Sequence, residues 1–221
     1  MVGYDRNKQI VYTHRVLTFK KHTKKLLSQV LQELIIDVED VIVSCVVPRI
    51  EQDIIETIES VLNIKPIMIK GATIDKMKIN IDNHLELGAD LICTSIGAAS
   101  KYNTPVIVAD IGSATKLTLT NVDNVYEGGI ILPGLGSSLQ SIGKNTISAI
   151  QSGMLYGVVA QIEGLANRFE KELNKKCERV LTGGYTVLFK HMLPEFHYEA
   201  YLVNDGLIEI YLKDMYKKTL D

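Results

Sequence analysis

Two spacings of hydrophobic positions alternate along the first 70 residues of the chain. Apolar residues interrupt a polar background over 9–17, which predicts a strand. Apolar residues three and four positions apart predict helices over 21–34 and 54–62, and continuous apolar runs at 41–47 and 66–69 predict buried strands. The resulting order of strand, helix, strand, helix, strand is typical of an α/β layered fold with a largely parallel sheet.

The remainder of the chain continues this mixture of helices and strands. We expect helices over 89–101, 145–174 and 205–216, and strands over 106–109, 116–120, 128–134 and 180–184. The strand over 116–120 is expected to return from the strand over 106–109 as a hairpin. No linker rich in Pro, Gly or Ser separates these segments. We therefore expect two tightly joined lobes, an N-terminal lobe over 1–104 and a C-terminal lobe over 105–221.

Charge gives little indication of a nucleic-acid partner. The 221 residues carry a formal net charge of −2, with 24 basic and 26 acidic residues. One local basic run is interpreted as the solvated start of a helix rather than a phosphate-binding face, because no interleaved aromatic residues follow it. The run comprises Arg15, Lys20, Lys21, Lys24 and Lys25.

The cysteines and the apolar stretches indicate the cellular setting. Three cysteines, Cys45, Cys93 and Cys177, lie far apart and show no metal-ligand spacing, which is typical of a reduced cytosolic protein. No signal-peptide pattern opens the chain, and no apolar stretch approaches the roughly 20 residues that a membrane helix needs. We therefore expect a cytoplasmic protein without a membrane segment.

The strand predicted over 106–109 leads into a turn, residues 110–115, that reads Asp-Ile-Gly-Ser-Ala-Thr. In an open α/β sheet, ligands bind beyond the carboxyl ends of the strands. An aspartate followed there by Gly-Ser presents a carboxylate, a hydroxyl and backbone N–H groups, which suit a phosphate and the cation that accompanies it. The alternative is that Asp110 only accepts hydrogen bonds within the turn, and the motif alone favours neither.

Two further positions have the same ambiguity. Gly183 and Gly184 follow a short apolar strand and allow the backbone to approach a ligand closely, although a double glycine also suits a tight turn or a helix cap. Asp90 opens a predicted helix, where a carboxylate can simply stabilise the N-terminal end of the helix dipole. Taken one at a time, these residues do not identify a function.

Five motifs in a fixed order are more informative than any one of them. They read Gly-Ala-Asp at 88–90, Asp-Ile-Gly-Ser-Ala-Thr at 110–115, Gly-Gly-Ile-Ile-Leu-Pro-Gly at 128–134, Gly-Lys-Asn-Thr at 143–146 with Gln-Ser-Gly at 151–153, and Thr-Gly-Gly at 182–184. With a Ser-Cys-Val-Val-Pro strand at 44–48, the chain resembles the type III pantothenate kinases from about residue 9 to residue 211. The block at 143–153 is the most specific piece.

The resemblance implies a fold and a reaction. The fold is the two-lobed actin-like or ribonuclease H-like kinase fold, an α/β fold in which each lobe is a mixed sheet flanked by helices and ATP binds in the cleft between the lobes. The reaction transfers the γ-phosphoryl group of ATP to the primary hydroxyl of pantothenate, the first step of coenzyme A biosynthesis. Members resembling this chain use Mg²⁺ and a monovalent cation, K⁺ or NH₄⁺, and form homodimers.

The resemblance also implies roles for individual residues. Asp90 would be the base that accepts the hydroxyl proton, and Asp110 would be the ligand of the monovalent cation. ATP would contact Gly112, Ser113, Gly183 and Gly184. Pantothenate would contact Ile81, Gly88, Ala89, Leu91 and Thr146. These roles agree with the demands of phosphoryl transfer, which needs positioning, charge neutralisation and one carboxylate to orient the nucleophile.

The chain departs from the family pattern at three places. The family opens with a strand, expected at the centre of the first sheet, and a phosphate loop Asp-x-Gly-Asn-Thr, whereas residues 1–5 correspond to the strand that follows them. Leu91 stands where the family has arginine, and Ile81 stands where it has tyrosine. The segment between Gly134 and Gly143 is shorter than in the family. An alternative is therefore a non-catalytic or regulatory member of the same fold, similar to the Bvg accessory factors.

Overall fold

The structure is a computed structural model that describes residues 1–15, 23–71, 74–133 and 146–218. The chain divides into two compact units. The first unit comprises residues 1–76, 83–93 and 203–221, and the second comprises residues 77–82 and 94–202. The expected lobe boundary between residues 104 and 105 stays a prediction.

The first unit contains two pairs of short strands. Strands β1 (Val2–Tyr4) and β2 (Ile10–Thr13) are antiparallel. Strands β3 (Ile42–Ser44) and β4 (Ile67–Ile69) are parallel. The two pairs form separate two-stranded sheets, and no strand of the described residues joins them.

Helices α1 (Thr23–Gln32) and α2 (Pro48–Leu62) pack against each other in the first unit. Pro48 occupies the first turn of α2, where its missing N–H would have had no helical partner. Asn63 ends α2 in the left-handed conformation, with φ of 55°, and its N–H donates to the carbonyl of Glu59. The residue types at both ends therefore set the length of α2.

A close crossing of two helices completes the first unit. Helix α3 (Ala89–Lys101) contributes residues 89–93 to it, and helix α6 (Leu202–Lys218) contributes residues 203–218. A Cβ added at Gly206 would lie 1.9 Å from the carbonyl oxygen of Cys93, so only glycine allows this approach. On the same helix, Asp205 accepts a hydrogen bond from the Tyr4 hydroxyl at 2.9 Å.

A six-stranded mixed sheet forms the second unit, in the order β10-β9-β6-β7-β8-β5. Its strands are β5 (Lys78–Ile79), β6 (Val106–Ile111), β7 (Ala114–Thr120), β8 (Val125–Pro133), β9 (Glu178–Thr182) and β10 (His197–Tyr198). Strand β7 is antiparallel to both β6 and β8, and the other neighbours are parallel. The predicted hairpin is therefore confirmed. Because that hairpin reverses the chain, the sheet is mixed rather than largely parallel.

Helices cover both faces of this sheet. Helix α4 (Thr146–Leu173) packs on one face, where Ile162 and Ile107 are fully buried in the larger core. The opposite face carries a smaller core, in which Val108 of β6 and Ala98 of α3 are buried together. Successive residues of β6 thus point into different cores, as strand alternation requires.

The sequence predicts the helices of this fold well and its short strands poorly. Helices α3, α4 and α6 lie where the hydrophobic spacing places them. Strands β5 and β10 have only two residues each, too few to show a period of two, and were not predicted, whereas β1 lies within residues 1–5, where the family resemblance implies a strand. The expectations for residues 16–22, with Lys20 and Lys21, and for residues 134–145 lie outside the described residues. Among the described helices, none combines the length and the hydrophobicity needed to cross a membrane.

Candidate functional site

Two turns lie side by side at the carboxyl ends of β6 and β9. These strands are parallel neighbours, and Asp110 on β6 stands opposite Thr182 on β9. The turns that follow, 112–113 and 183–184, therefore leave the sheet at the same edge, where α/β sheets bind ligands. The structure brings together the predicted site residues of these two turns.

Backbone and a cation enclose the carboxylate of Asp110. A Cβ added at Gly183 would lie 2.3 Å from Asp110 Oδ1 and 2.6 Å from the carbonyl oxygen of Ile111, so no side chain fits there. Gly183 also has φ of +101°, a conformation that favours glycine. Asp110 Oδ2 lies 3.6 Å from the ammonium nitrogen of Lys116, and the Asp110 side chain is only 16% exposed.

Hydrogen bonds fix the turn that follows β9. The N–H of Tyr185 donates to the carbonyl of Ile111 at 2.9 Å, and the N–H of Thr186 donates to the carbonyl of Gly183 at 3.3 Å. The hydroxyl of Thr186 donates to the carbonyl of Thr182. These bonds tie the start of helix α5 (Thr186–Phe189) to both strand ends and hold Gly183 against Asp110.

Exposed groups stand at the same edge of the sheet. Ser113 and Gly184 are exposed, and Gly112 and Gly183 are half-buried. The N–H of Gly112 donates to the carbonyl of Ala114 at 3.1 Å, which tightens the turn. An exposed hydroxyl beside glycine backbone, without side chains to keep a ligand at a distance, allows an anionic group to approach closely.

Lys116 is the residue at this edge that the sequence reading missed. The β6–β7 register places it directly opposite Asp110. The pairing depends on a three-residue turn at 112–114, which sets Ile111 opposite Thr115 and Asp110 opposite Lys116, whereas a two-residue turn would set Asp110 opposite Thr115. Thr115, one residue earlier, is fully buried on the α4 face of β7, and its hydroxyl has no partner among the described residues.

Asp90 occupies the first turn of α3 in the first unit. Its Oδ1 accepts a hydrogen bond from the N–H of Leu91 at 3.0 Å. A Cβ added at Gly88 would lie 2.7 Å from the same oxygen, while Ala89 is buried. The carboxylate is therefore held at the N-terminal end of the helix, where the dipole favours its charge. This geometry suits a base and a dipole-stabilising residue alike.

Cys93 follows Asp90 by one turn and is not available as a nucleophile. Its side chain is fully buried. Burial, together with the nearby charge of Asp90, raises the pKa of the thiol to about 12. The thiol therefore stays protonated near neutral pH, and a protonated thiol is a poor nucleophile.

The remaining predicted substrate residues are divided between the two units. Residues 88–91 belong to the first unit, and Ile81 and Thr146 belong to the second. Ile81 lies beside Gly128 of β8, and Thr146 is the exposed first residue of α4. The roles assigned to these residues stay predictions.

The described part of the basic run belongs to an ion-pair network on the helices. Lys24 lies 3.3 Å from the carboxylate of Asp53 and 2.6 Å from that of Glu56. Its charge is offset by these partners, which supports the interpretation of the run as a helix start.

Within the described ranges, no group of three His, Cys, Asp or Glu side chains could hold a metal ion.

A family model and two curated relatives of this chain carry the name of one kinase family. A family model described as type III pantothenate kinase matches residues 1–142. A type III pantothenate kinase from Sulfurihydrogenibium sp. (strain YO3AOP1) is 33% identical over 200 residues, which cover 81% of this chain and 78% of the relative. Another from Roseiflexus sp. (strain RS-1) is 33% identical over 195 residues, which cover 79% and 76%.

A solved structure shares the fold. The crystal structure of a protein described as a Baf family transcriptional activator, from Campylobacter jejuni, aligns with a TM-score of 0.56. The alignment covers 85% of this chain and 88% of the other at 16% sequence identity, which shows a common fold and no more. The family model and the two kinases carry the assignment, and the chain belongs to the type III pantothenate kinase family.

Proposed function

We propose that the chain transfers the γ-phosphoryl group of ATP to the primary hydroxyl of pantothenate, giving 4′-phosphopantothenate and ADP, the first step of coenzyme A biosynthesis. One observation carries this proposal. The turns at 112–113 and 183–184 follow neighbouring parallel strands and expose glycine backbone and a hydroxyl beside Asp110. Strand ends of this kind bind phosphate ligands. Membership of a kinase family makes ATP the phosphate ligand expected there.

In the proposed reaction Asp90 is the general base. The pantothenate hydroxyl oxygen forms a bond to the γ-phosphorus while the bond from that phosphorus to the β–γ bridging oxygen breaks. The hydroxyl proton passes to the Asp90 carboxylate, and ADP leaves with the bridging oxygen. The hydrogen bond from the N–H of Leu91 to Asp90 Oδ1 fixes the orientation of the carboxylate. A positioned base contributes roughly 10²–10⁴-fold to a rate.

ATP would bind at the strand ends of the second unit. Ser113 would donate its exposed hydroxyl to a phosphate oxygen, and Gly112, Gly183 and Gly184 would let the phosphates approach the backbone. Mg²⁺ that enters with a nucleotide is held mainly by phosphates and water, with one or two carboxylates. This mode of binding does not require a cluster of three protein ligands, and the described residues contain no such cluster of His, Cys, Asp or Glu. When bound, Mg²⁺ neutralises charge on the phosphates.

Pantothenate would contact Gly88, Ala89, Leu91, Thr146 and Ile81, as the family resemblance implies. Leu91 cannot pair with the substrate carboxylate as a guanidinium would, so the carboxylate must be bound by other groups. We therefore expect weaker pantothenate binding than an arginine at position 91 would give. Introducing that arginine, Leu91→Arg, is expected to lower the KM for pantothenate with little change in kcat.

Leu91 also favours a second candidate function. A chain that cannot bind the pantothenate carboxylate could serve as a non-catalytic or regulatory protein on the same fold. That alternative predicts no ADP formation with pantothenate. It also predicts that ATP binding, measured by calorimetry, is not strengthened by pantothenate.

A coupled assay of ADP release tests the proposed reaction. The wild-type chain is assayed with ATP, Mg²⁺ and pantothenate, beside Asp90→Asn and a matched control, Asp53→Asn, on α2. We expect pantothenate-dependent ADP release that falls at least about 10²-fold in Asp90→Asn and is unchanged in Asp53→Asn. Equal rates in the wild type and Asp90→Asn would remove Asp90 as the base, and no pantothenate-dependent release would favour the non-catalytic alternative.

Two properties of the intact protein belong to the same proposal. We propose a homodimer, which light scattering coupled to size-exclusion chromatography measures directly. We also propose a cytoplasmic location, which the three separated cysteines support.

A further inference from the structure

We propose that the ammonium group of Lys116 takes the place of the monovalent cation at Asp110, so that this chain needs neither K⁺ nor NH₄⁺. The inference rests on the proposed function, because it concerns the cation requirement of the same site. The family resemblance implies a cation ligand at Asp110. The surroundings of that carboxylate do not fit an additional cation.

The hairpin fixes the position of Lys116. Asp110 and Lys116 are directly opposite on β6 and β7, so their side chains leave the sheet on the same face. The ammonium nitrogen lies 3.6 Å from Asp110 Oδ2. The side chains are 22% and 16% exposed, so most of each is packed against the protein. The positive charge is therefore built into the sheet register.

The two oxygens of Asp110 have different neighbours, and the neighbour of Oδ2 opposes an added metal ion. Oδ1 packs against Gly183, where even a single carbon atom would come within 2.3 Å. Oδ2 faces Lys116. A metal cation needs several oxygen ligands around it. A cation at Oδ2 would stand beside the ammonium group of Lys116, a second positive charge that repels it.

The ammonium group can supply what a monovalent cation supplies at a carboxylate. It carries one positive charge and three N–H donors. Because it is covalently attached, it is present at a fixed local concentration that does not depend on the salt in solution. Lys116 thus acts as a positioning residue that holds the Asp110 carboxylate and neutralises its charge at the strand end.

Thermal unfolding in two salts tests this inference without using catalysis. The melting temperature is measured in KCl and in tetramethylammonium chloride at equal ionic strength, for the wild type and for Lys116→Met. The wild type is expected to melt at the same temperature in both salts. Lys116→Met, which lacks the charge, is expected to gain a K⁺-specific, saturable rise of roughly 2–4 °C.

Two further variants keep the test decisive. Lys116→Gln replaces Lys116→Met should the latter fail to fold, since both remove the charge and retain much of the stem. Lys101→Met is the matched control, because Lys101 forms an ion pair with Glu199 at 2.7 Å elsewhere in the second unit. The control is expected to show no K⁺-specific shift.

Each outcome decides the inference. A K⁺-specific shift in the wild type overturns it, because a cation would then bind beside Lys116. The absence of any shift in both charge-removing variants also overturns it, because Asp110 would then have no cation affinity for Lys116 to replace. Failure of the proposed function is a separate result, seen as no pantothenate-dependent ADP release in either salt. The melting experiment stands whether or not that release occurs.

Discussion

The strands of the two units are buried to different degrees. Among strands β1 to β4 of the first unit, only Ile69 is buried. In the second unit, five of the six residues of β6 and four of the five residues of β9 are buried. The difference follows from the size of the sheets. A two-stranded sheet can bury few side chains, whereas helices cover both faces of the six-stranded sheet.

The two carboxylates with proposed roles, Asp110 and Asp90, are held in position by different means. Asp110 is placed by sheet register, because β6 lies between two hydrogen-bonded neighbours. Asp90 is placed by a helix, and the close approach of Gly206 to Cys93 holds that helix in the first unit. A substitution that disturbs the six-stranded sheet should therefore displace Asp110. One that disturbs the crossing of α3 and α6 should displace Asp90.

The largest effect is expected from breaking a buried ion pair in the second unit. Arg179 on β9 is 6% exposed, and its Nε donates to Glu170 Oε1 at 3.0 Å. Arg179→Leu would leave the Glu170 carboxylate buried without this partner, and we expect a loss of about 3–5 kcal/mol in the free energy of unfolding. Urea denaturation measures the loss, and hydrogen exchange of β9 amides locates it.

An exposed ion pair in the same unit is the control for that loss. Lys101 and Glu199 pair at 2.7 Å with side chains 37% and 22% exposed. Lys101→Met is expected to cost no more than about 1 kcal/mol. Equal losses in Lys101→Met and Arg179→Leu would show that burial does not set the strength of these pairs.

A smaller effect is expected from filling the helix crossing of the first unit. Gly206→Ala brings a methyl group to within 1.9 Å of the Cys93 carbonyl oxygen, so α6 must move away from α3. We expect a loss of roughly 3 kcal/mol in the free energy of unfolding, with faster hydrogen exchange in α6. If the two units are as distinct as their burial indicates, exchange in β6 and β9 stays unchanged.

Gly164→Ala on α4 is the matched control for that substitution. A Cβ at Gly164 meets no atom within 4 Å. Replacing a glycine in a helix with room to spare should raise the free energy of unfolding by up to about 1 kcal/mol. A loss in this variant comparable to that of Gly206→Ala would contradict the steric explanation.

Acid should weaken the second unit through Glu170. Burial on its own would raise the pKa of this carboxyl group, but hydrogen bonds from Arg179, Lys176 and the N–H of Cys177 lower the pKa from 4.5 to about 2. Since the folded-state pKa is depressed, the stabilisation is complete above pH 4.5 and is lost as the pH falls towards 2. Urea midpoints between these values should decline in the wild type and decline less in Glu170→Gln.

The main elements and the candidate turns could be predicted from the sequence because they rest on local signals. Helical spacing identified α3 and α4, and the apolar run before Asp110 identified β6. The glycines after Thr182 marked a turn that only glycine can adopt, as the φ of +101° at Gly183 explains. The strand order that sets the two turns side by side could not be predicted, because pairing between Asp110 and Thr182, 72 positions apart, leaves no local pattern.

Contacts between distant segments explain the rest of what was missed. The need for glycine at position 206 arises from the backbone of Cys93, more than 100 residues earlier in the chain. The strands β5 and β10 exist because the sheet offers edges to pair with, and two residues of sequence cannot signal that. The pairing of Lys116 with Asp110 depends on the three-residue length of the turn at 112–114, and both that length and the 3.6 Å approach required the structure.

The most direct test of the proposed kinase activity is the mass of the product. Pantothenate, ATP and Mg²⁺ are incubated with the wild-type chain, and pantothenate is followed by mass spectrometry. The account predicts pantothenate that has gained one phosphoryl group in an amount equal to the ADP formed, and almost none with Asp90→Asn. Unmodified pantothenate after prolonged incubation with folded, ATP-binding protein would contradict it.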